Sequence, residues 1–172
     1  MNRQIFVVFM AAIMMLMGVA ASFAAPAAVE KLLPASGDVA GFKIMDKSLI
    51  YGKGADVSKI YNGGYELYTK NGVIDAVKQM YQRDSQYAEV AVHTMTSNKT
   101  ALDFVNYWAK QREAKAVAIA KLGTGFTVTK PNVMSYYAMG KYFVTVAAYY
   151  PADKSVKDTE AFAMAVKKRI KP

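Results

Sequence analysis

Asp56-Val-Ser-Lys-Ile-Tyr-Asn-Gly-Gly-Tyr-Glu-Leu-Tyr68 is the stretch on which the fold reading turns, because two adjacent glycines interrupt an otherwise helix-like pattern. Read as a helix, Tyr61, Tyr65 and Tyr68 fall at i, i+4 and i+7 on one stripe, beside a second stripe of Ile60, Gly64 and Leu67. Asp56 then stands as the N-cap and Asn71-Gly72 as the stop. The cost is Gly63 and Gly64, each about 1 kcal/mol worse than alanine inside a helix. Close backbone approach would offset it, with Gly64 buried against a sheet and Gly64→Ala destabilising by about 1–3 kcal/mol through overpacking. The competing reading is a hairpin, since Asn62-Gly63 is a strong two-residue turn signal. The helix is the reading we expect.

The stretch lies in a chain of 172 residues that opens with a different kind of segment. Met1-Asn-Arg-Gln carries one positive charge and residues 5–21 are uncharged and apolar, as in a secretory signal peptide. Ser22 and Ala24 put small residues at the −3 and −1 places of a cleavage after Ala24. The alternative is an uncleaved anchor, because the apolar run approaches the roughly 20 residues that cross a bilayer. Cleavage leaves residues 25–172 as one domain in the periplasm or secreted, with no membrane span.

Composition narrows the chemistry. The chain has no cysteine, which excludes disulfides, thiolate metal sites, iron–sulfur clusters, covalent haem and thiol redox work. The fold must be held by its core alone, and the 12 tyrosines together with Phe42, Phe104, Phe126, Phe143 and Phe162 supply the apolar surface for it.

Beyond the organising stretch the period changes. Short strands are expected at residues 41–45 and 48–51, after a turn of helix at 30–33. Ala76 to Tyr81 and Tyr87 to Thr94 alternate about Arg83-Asp-Ser-Gln86 and read as an antiparallel hairpin. Ser97 to Thr100 caps a helix, with Asp103 closing a box from Thr100 and an apolar stripe of Leu102, Val105, Trp108 and Ala109. Residues 116–121 and 126–129 read as strands. Val133 to Met139 and Tyr142 to Tyr150 form a second hairpin about Gly140-Lys141, and the latter strand is apolar on both faces, as a central strand would be. After Pro151, a box of Ser155 and Asp158 opens a terminal helix with a stripe of Phe162, Ala165, Val166 and Ile170. The expected fold is α+β, an antiparallel sheet of about five to seven strands with helices packed against it.

Leu33-Pro34, Ile60-Tyr-Asn-Gly-Gly-Tyr-Glu-Leu-Tyr68 and Val90-Ala-Val-His-Thr-Met95 running into the Ser97 cap resemble a bacterial exported family of unknown function. Its hallmark is an Ile-Asn-Gly-Gly-Ala-Glu-Leu-Tyr helix, matched here at Asn62, Gly63, Gly64, Glu66, Leu67 and Tyr68 and departed from at Tyr61 and Tyr65. The resemblance implies an α/β sandwich and no activity. The order of sheet and helices is also similar to the fold of the extrinsic P protein of photosystem II.

Catalysis finds little to work with. His93 is the sole histidine, so one chain cannot assemble a His-based metal site or a Ser-His-Asp arrangement. Asp56, Glu66, Asp75, Glu89 and Asp103 lack metal-ligand spacing, and the Gly52-Lys-Gly54 and Gly123-Thr-Gly125 runs lack the length of a phosphate loop. No cofactor, metal or catalytic residue is expected. The tyrosine stripe Tyr61, Tyr65, Tyr68 is the one candidate ligand surface, against the plainer reading that it is core edge. The net charge of +9 is spread, apart from Lys167 to Lys171, and is read as a general surface property without a specific anion site. A partner for it would be an anionic envelope component or an envelope protein, not nucleic acid. The function expected is a non-catalytic periplasmic binding or interaction module. The alternatives are a metal-independent hydrolase using carboxylates and tyrosines, and an envelope scaffold. Terminal sequencing of the exported chain should begin at Ala25, and retention of Met1 would overturn the leader reading.

Overall fold

The period-two stretches become one sheet. The computed structural model describes residues 28–61 and 63–170, so the leader, its cleavage site, Asn62 and Lys171 lie outside the described residues. Eight strands, β1 (Lys43–Ile44), β2 (Ile50–Lys53), β3 (Val73–Arg83), β4 (Gln86–Met95), β5 (Val117–Ile119), β6 (Gly123–Val128), β7 (Val133–Met139) and β8 (Tyr142–Ala148), pair antiparallel in the order β1-β3-β4-β8-β7-β6-β5, with β2 also on β3. The α+β class is as expected, with one strand more than the expected upper count. The extra strand arises at the β3 edge, where β1 pairs Lys43 with Gln82 and β2 pairs Ile50 with Lys78, so two short strands share one position. Lys47, between them, has φ 56, a left-handed kink that ends one and redirects the chain into the other.

The β3–β4 hairpin closes through Asp84-Ser85 and the β7–β8 hairpin through Gly140-Lys141, with Asp84 at φ 52 and Gly140 at φ 63, as tight hairpins need. β8 lies between β4 and β7, and all but Tyr142 of its residues are buried. Its two faces feed two cores. Val144 and Val146 meet Val90, Val92, Phe162 and Val166 on one side, and Phe143 meets Ala101, Phe104 and Val105 on the other. The helices supply those partners: α3 (Ala152–Arg169) covers the first face, and α2 (Asn98–Gln111) with the short α1 (Tyr65–Lys70) covers the second. The result is a sheet between two helical layers.

The organising stretch is neither a continuous helix nor an Asn-Gly hairpin among the described residues. A 3₁₀ segment, Gly54–Lys59, is followed after a break by α1. Gly63 and Gly64 have φ 81 and 77, on the left-handed side that a right-handed helix cannot include. Gly64 is exposed, and a Cβ built on it meets nothing within 4 Å, so the packing argument is also overturned. The glycines serve the backbone reversal that separates the two segments.

Three expected caps differ as well. Asp56 lies inside the 3₁₀ segment, 3.1 Å from Lys59 Nζ, where its carboxylate is drawn to the cation. The box on α2 is Ser97 with Thr100, leaving Asp103 to pair with Lys99 at 2.6 Å. No side chain caps α3. Ser155 is buried, and Asp158 turns instead to Arg83 and to the Tyr150 hydroxyl, which donates to it at 2.7 Å. Arg83 also stacks on Phe42, 4.2 Å from its centroid, and donates to the Ala40 carbonyl, so α3, β3 and the N-terminal loop are tied at one point. Arg169, in the basic run that ends α3, pairs with Asp38.

A glycine that does depend on close approach is Gly52, where a Cβ would stand 2.1 Å from the Asp56 carbonyl oxygen. Gly52→Ala should therefore cost about 3 kcal/mol by overpacking against backbone. Gly64→Ala should cost about 1 kcal/mol from its left-handed φ alone. Urea midpoints of the two variants check the order, and a milder loss at Gly52 would contradict it.

Candidate functional site

The motif tyrosines divide. Tyr61 and Tyr68 stack face to face, centroids 3.8 Å apart, and both lie over His93, at 5.7 and 5.5 Å. The break at Gly63-Gly64 makes this possible, since it lets Tyr61 fold back on the helix that carries Tyr68. Tyr65 faces elsewhere, onto an open groove with Ala55, Thr69 and Ile74. Leu67 packs partly buried against the α2-side core, and Glu66 is exposed in the first turn of α1. The tyrosine stripe is thus partly core edge.

His93 pins this packing from beneath. Its side chain is fully buried on β4, with Nδ1 2.8 Å from the Phe143 carbonyl oxygen and Nε2 in a short contact with the Tyr61 hydroxyl. A carbonyl only accepts, so Nδ1–H donates; Nε2 then accepts from Tyr61 O–H, and the imidazole is neutral. Burial agrees, lowering the His93 pKa from 6.5 to about 4, against a smaller raising effect of the Phe143 hydrogen bond. Burial likewise pushes the Tyr61 phenol well up and Tyr68 to about 12. These groups hold structure and have no proton to exchange near neutral pH. Among the described residues no three His, Asp or Glu side chains gather as a metal site.

Space for a ligand lies further along the same sheet face, where α2 ends. Strand register aligns Met80, Glu89, Ala147, Met134 and Val128 in one row across β3, β4, β8, β7 and β6. In the next row Tyr149 N–H donates to the Tyr87 carbonyl at 3.0 Å, and the two side chains are 45% and 36% exposed. Alternation places these residues on the α2 side of the sheet. The helix covers the rows through Phe143 and Tyr136 and stops short of these. At its end Arg112, with the Lys130–Asn132 turn, Val128, Met134, Ala147 and Tyr149, lines a cleft of about 200 Å³.

The cleft has a basic rim and an apolar floor. Among the described residues neither Arg112 nor Lys130 pairs with a carboxylate, as is true of most of the lysines; Lys59, Lys78, Arg83, Lys99 and Arg169 are the cations that do. Arg112 lies over the Trp108 ring at 5.8 Å, and Glu89 is 3.4 Å from Lys78 Nζ. Burial and then the Glu89 carboxylate push the Tyr149 phenol above its ordinary value. None of the rim was expected from the sequence. Arg112 reads as an ordinary C-terminal helix cation and Lys130 as a loop residue before Pro131. The one local sign is an exposed aromatic, Tyr149, just before Pro151.

No protein-family model matches the chain, and no curated protein does. Among solved structures, the fold is similar to that of the extracellular domain of PknH from Mycobacterium tuberculosis, with a TM-score of 0.53 over 84% of this chain and 98% of that one. At 14% identity the likeness is one of fold alone.

The buried histidine sets a pH dependence. Its unfolded imidazole takes a proton near 6.5 and the folded one only near 4, so between these values the unfolded chain binds more protons and stability falls as pH falls. Between pH 7 and 4 the parent should lose on the order of 3 kcal/mol more than His93→Gln. Urea titrations at both pH values check this, and equal losses would mean that His93 is not held neutral.

Proposed function

We propose that the chain is an exported, non-catalytic binding module, of the exported family of unknown function that its Asn62–Tyr68 motif resembles, and that its ligand site is the cleft at the end of α2. The observation that carries the reading is the uncovered part of the sheet. Tyr87 and Tyr149 stand exposed in one row, and the cleft in the next is apolar on its floor and partly enclosed. Small-molecule sites are concave and mostly apolar, with a few placed polar groups.

Export is supported by the apolar leader at residues 5–21 and by the similar fold having been found in an extracellular domain. No helix among the described residues is long and apolar enough to cross a membrane. A binding role in preference to catalysis is supported by the state of the titratable groups. The single histidine is buried and bonded at both nitrogens, and Asp38, Asp56, Glu89, Asp103 and Asp158 are each paired with a cation. A hydrolase would need two carboxyl groups facing one cleft; the cleft at α2 is lined by none, and the recess at the β1 edge that does bring two together, Asp46 and Asp84, also holds the cations Lys43 and Arg83. The partner on this reading is a small envelope-side molecule.

Native mass spectrometry of the chain from periplasm should show a bound small molecule, and Val128→Trp, which fills the cleft from its outer wall, should abolish the adduct while leaving the unfolding free energy from urea titration within about 1 kcal/mol. An adduct that persists in Val128→Trp, or no adduct in the parent, would remove the cleft from consideration.

A further inference from the structure

We infer that the cleft takes a small organic monoanion, a carboxylate carried on a short apolar body, with Arg112 and Lys130 holding the charged group. The inference rests on the reading of the cleft as the ligand site and names what that site would select. Two cations reach its rim from different elements, one at the C-cap of α2 and one in the β6–β7 turn, and neither is neutralised by a carboxylate among the described residues. Arg112 lies across the Trp108 ring at 5.8 Å and beside the Tyr136 hydroxyl, which limits its freedom, and its planar guanidinium suits a bidentate acceptor. The floor of Met134 and Ala147 and the ring of Tyr149 offer nothing to a second charge and suit an apolar chain or a flat ring.

The same row disfavours a second negative charge. Ala147 pairs in register with Glu89, so a ligand extended along the row away from Lys130 would bring its far end toward that carboxylate, which Lys78 at 3.4 Å offsets only in part. An apolar tail meets no such charge. Size points the same way, because about 200 Å³ is smaller than the roughly 300–1,000 Å³ of drug-sized ligand pockets. A recess of that size fits a free acid and cannot receive a diacyl lipid, although the exposed Tyr87 beside it could support a longer tail.

Trp108 is the only tryptophan and lies against Arg112, so its fluorescence reports on the rim. Titration of the purified chain with octanoate should give a saturable change, with acetate and 1-octanol, which lack the tail and the charge respectively, each weaker by about ten-fold or more. Arg112→Gln and Lys130→Gln should each weaken octanoate by about ten-fold, and Lys99→Gln should not. Equilibrium dialysis with labelled octanoate provides the same constants where loss of Arg112 itself alters the emission. Equal affinity for octanoate and octanol, or parental affinity in both glutamine variants, would overturn the inference. So would Arg112-dependent binding to phosphatidylglycerol vesicles without binding of octanoate, since the source would then be a membrane surface. A neutral or cationic adduct lost in Val128→Trp would leave the binding module standing and this inference refuted.

Discussion

The architecture follows from one constraint, that the central strands β4 and β8 bury side chains on both faces. Val90, Val92, Val144 and Val146 look one way and His93 and Phe143 the other, all fully buried. A sheet with only one covered face would leave one of these sets in water, at roughly 1.5–3 kcal/mol for each large side chain. Two layers are therefore required. The long α3 and the N-terminal loop provide one, and α2, α1 and the 3₁₀ segment provide the other in three shorter pieces. The second layer is discontinuous because no one helix spans that face, and the cleft lies where it ends.

Within that second layer the chain accepts a buried polar side chain. An imidazole with no partner would be costly there, and the Phe143 carbonyl and Tyr61 hydroxyl satisfy both nitrogens. The Tyr61 contact depends on a chain reversal of two residues, and the left-handed φ of Gly63 and Gly64 makes that reversal possible. The glycines, the tyrosine stack and the histidine thus form one device, local in sequence at one end and 32 residues distant at the other. It fixes α1 and the 3₁₀ segment over the sheet and leaves the titratable groups closed to solvent chemistry.

The sheet and its two layers also separate a filled end from an open one. The end near His93 is filled with stacked rings, from Tyr61 through Phe104 to Phe143. The other end, near Glu89 and Tyr149, is where side chains remain available. A rigid sheet presents them at fixed spacing, and the likeness to an extracellular domain is one of this scaffold, not of its surface.

What the sequence by itself determined is what short-range periodicity can encode. The alternation in residues 73–95 and 133–150 determined two hairpins, the two-faced apolar pattern of Tyr142–Tyr150 determined a central strand, and the absence of cysteine and the single histidine excluded whole chemistries. The reversal at Gly63-Gly64 was not legible, because glycine is compatible with close packing and with positive φ alike, and only the surroundings choose. The caps at Asp56 and Asp103 differ from expectation for a similar reason: a polar residue at a helix start can bond to the backbone or to a cation brought near by the fold. The tertiary structure alone decided the cleft. Arg112, Lys130, Met134 and Tyr149 lie on four separate elements or turns and share no period, so their convergence exists only once β6, β7 and β8 are in register and α2 has ended above them.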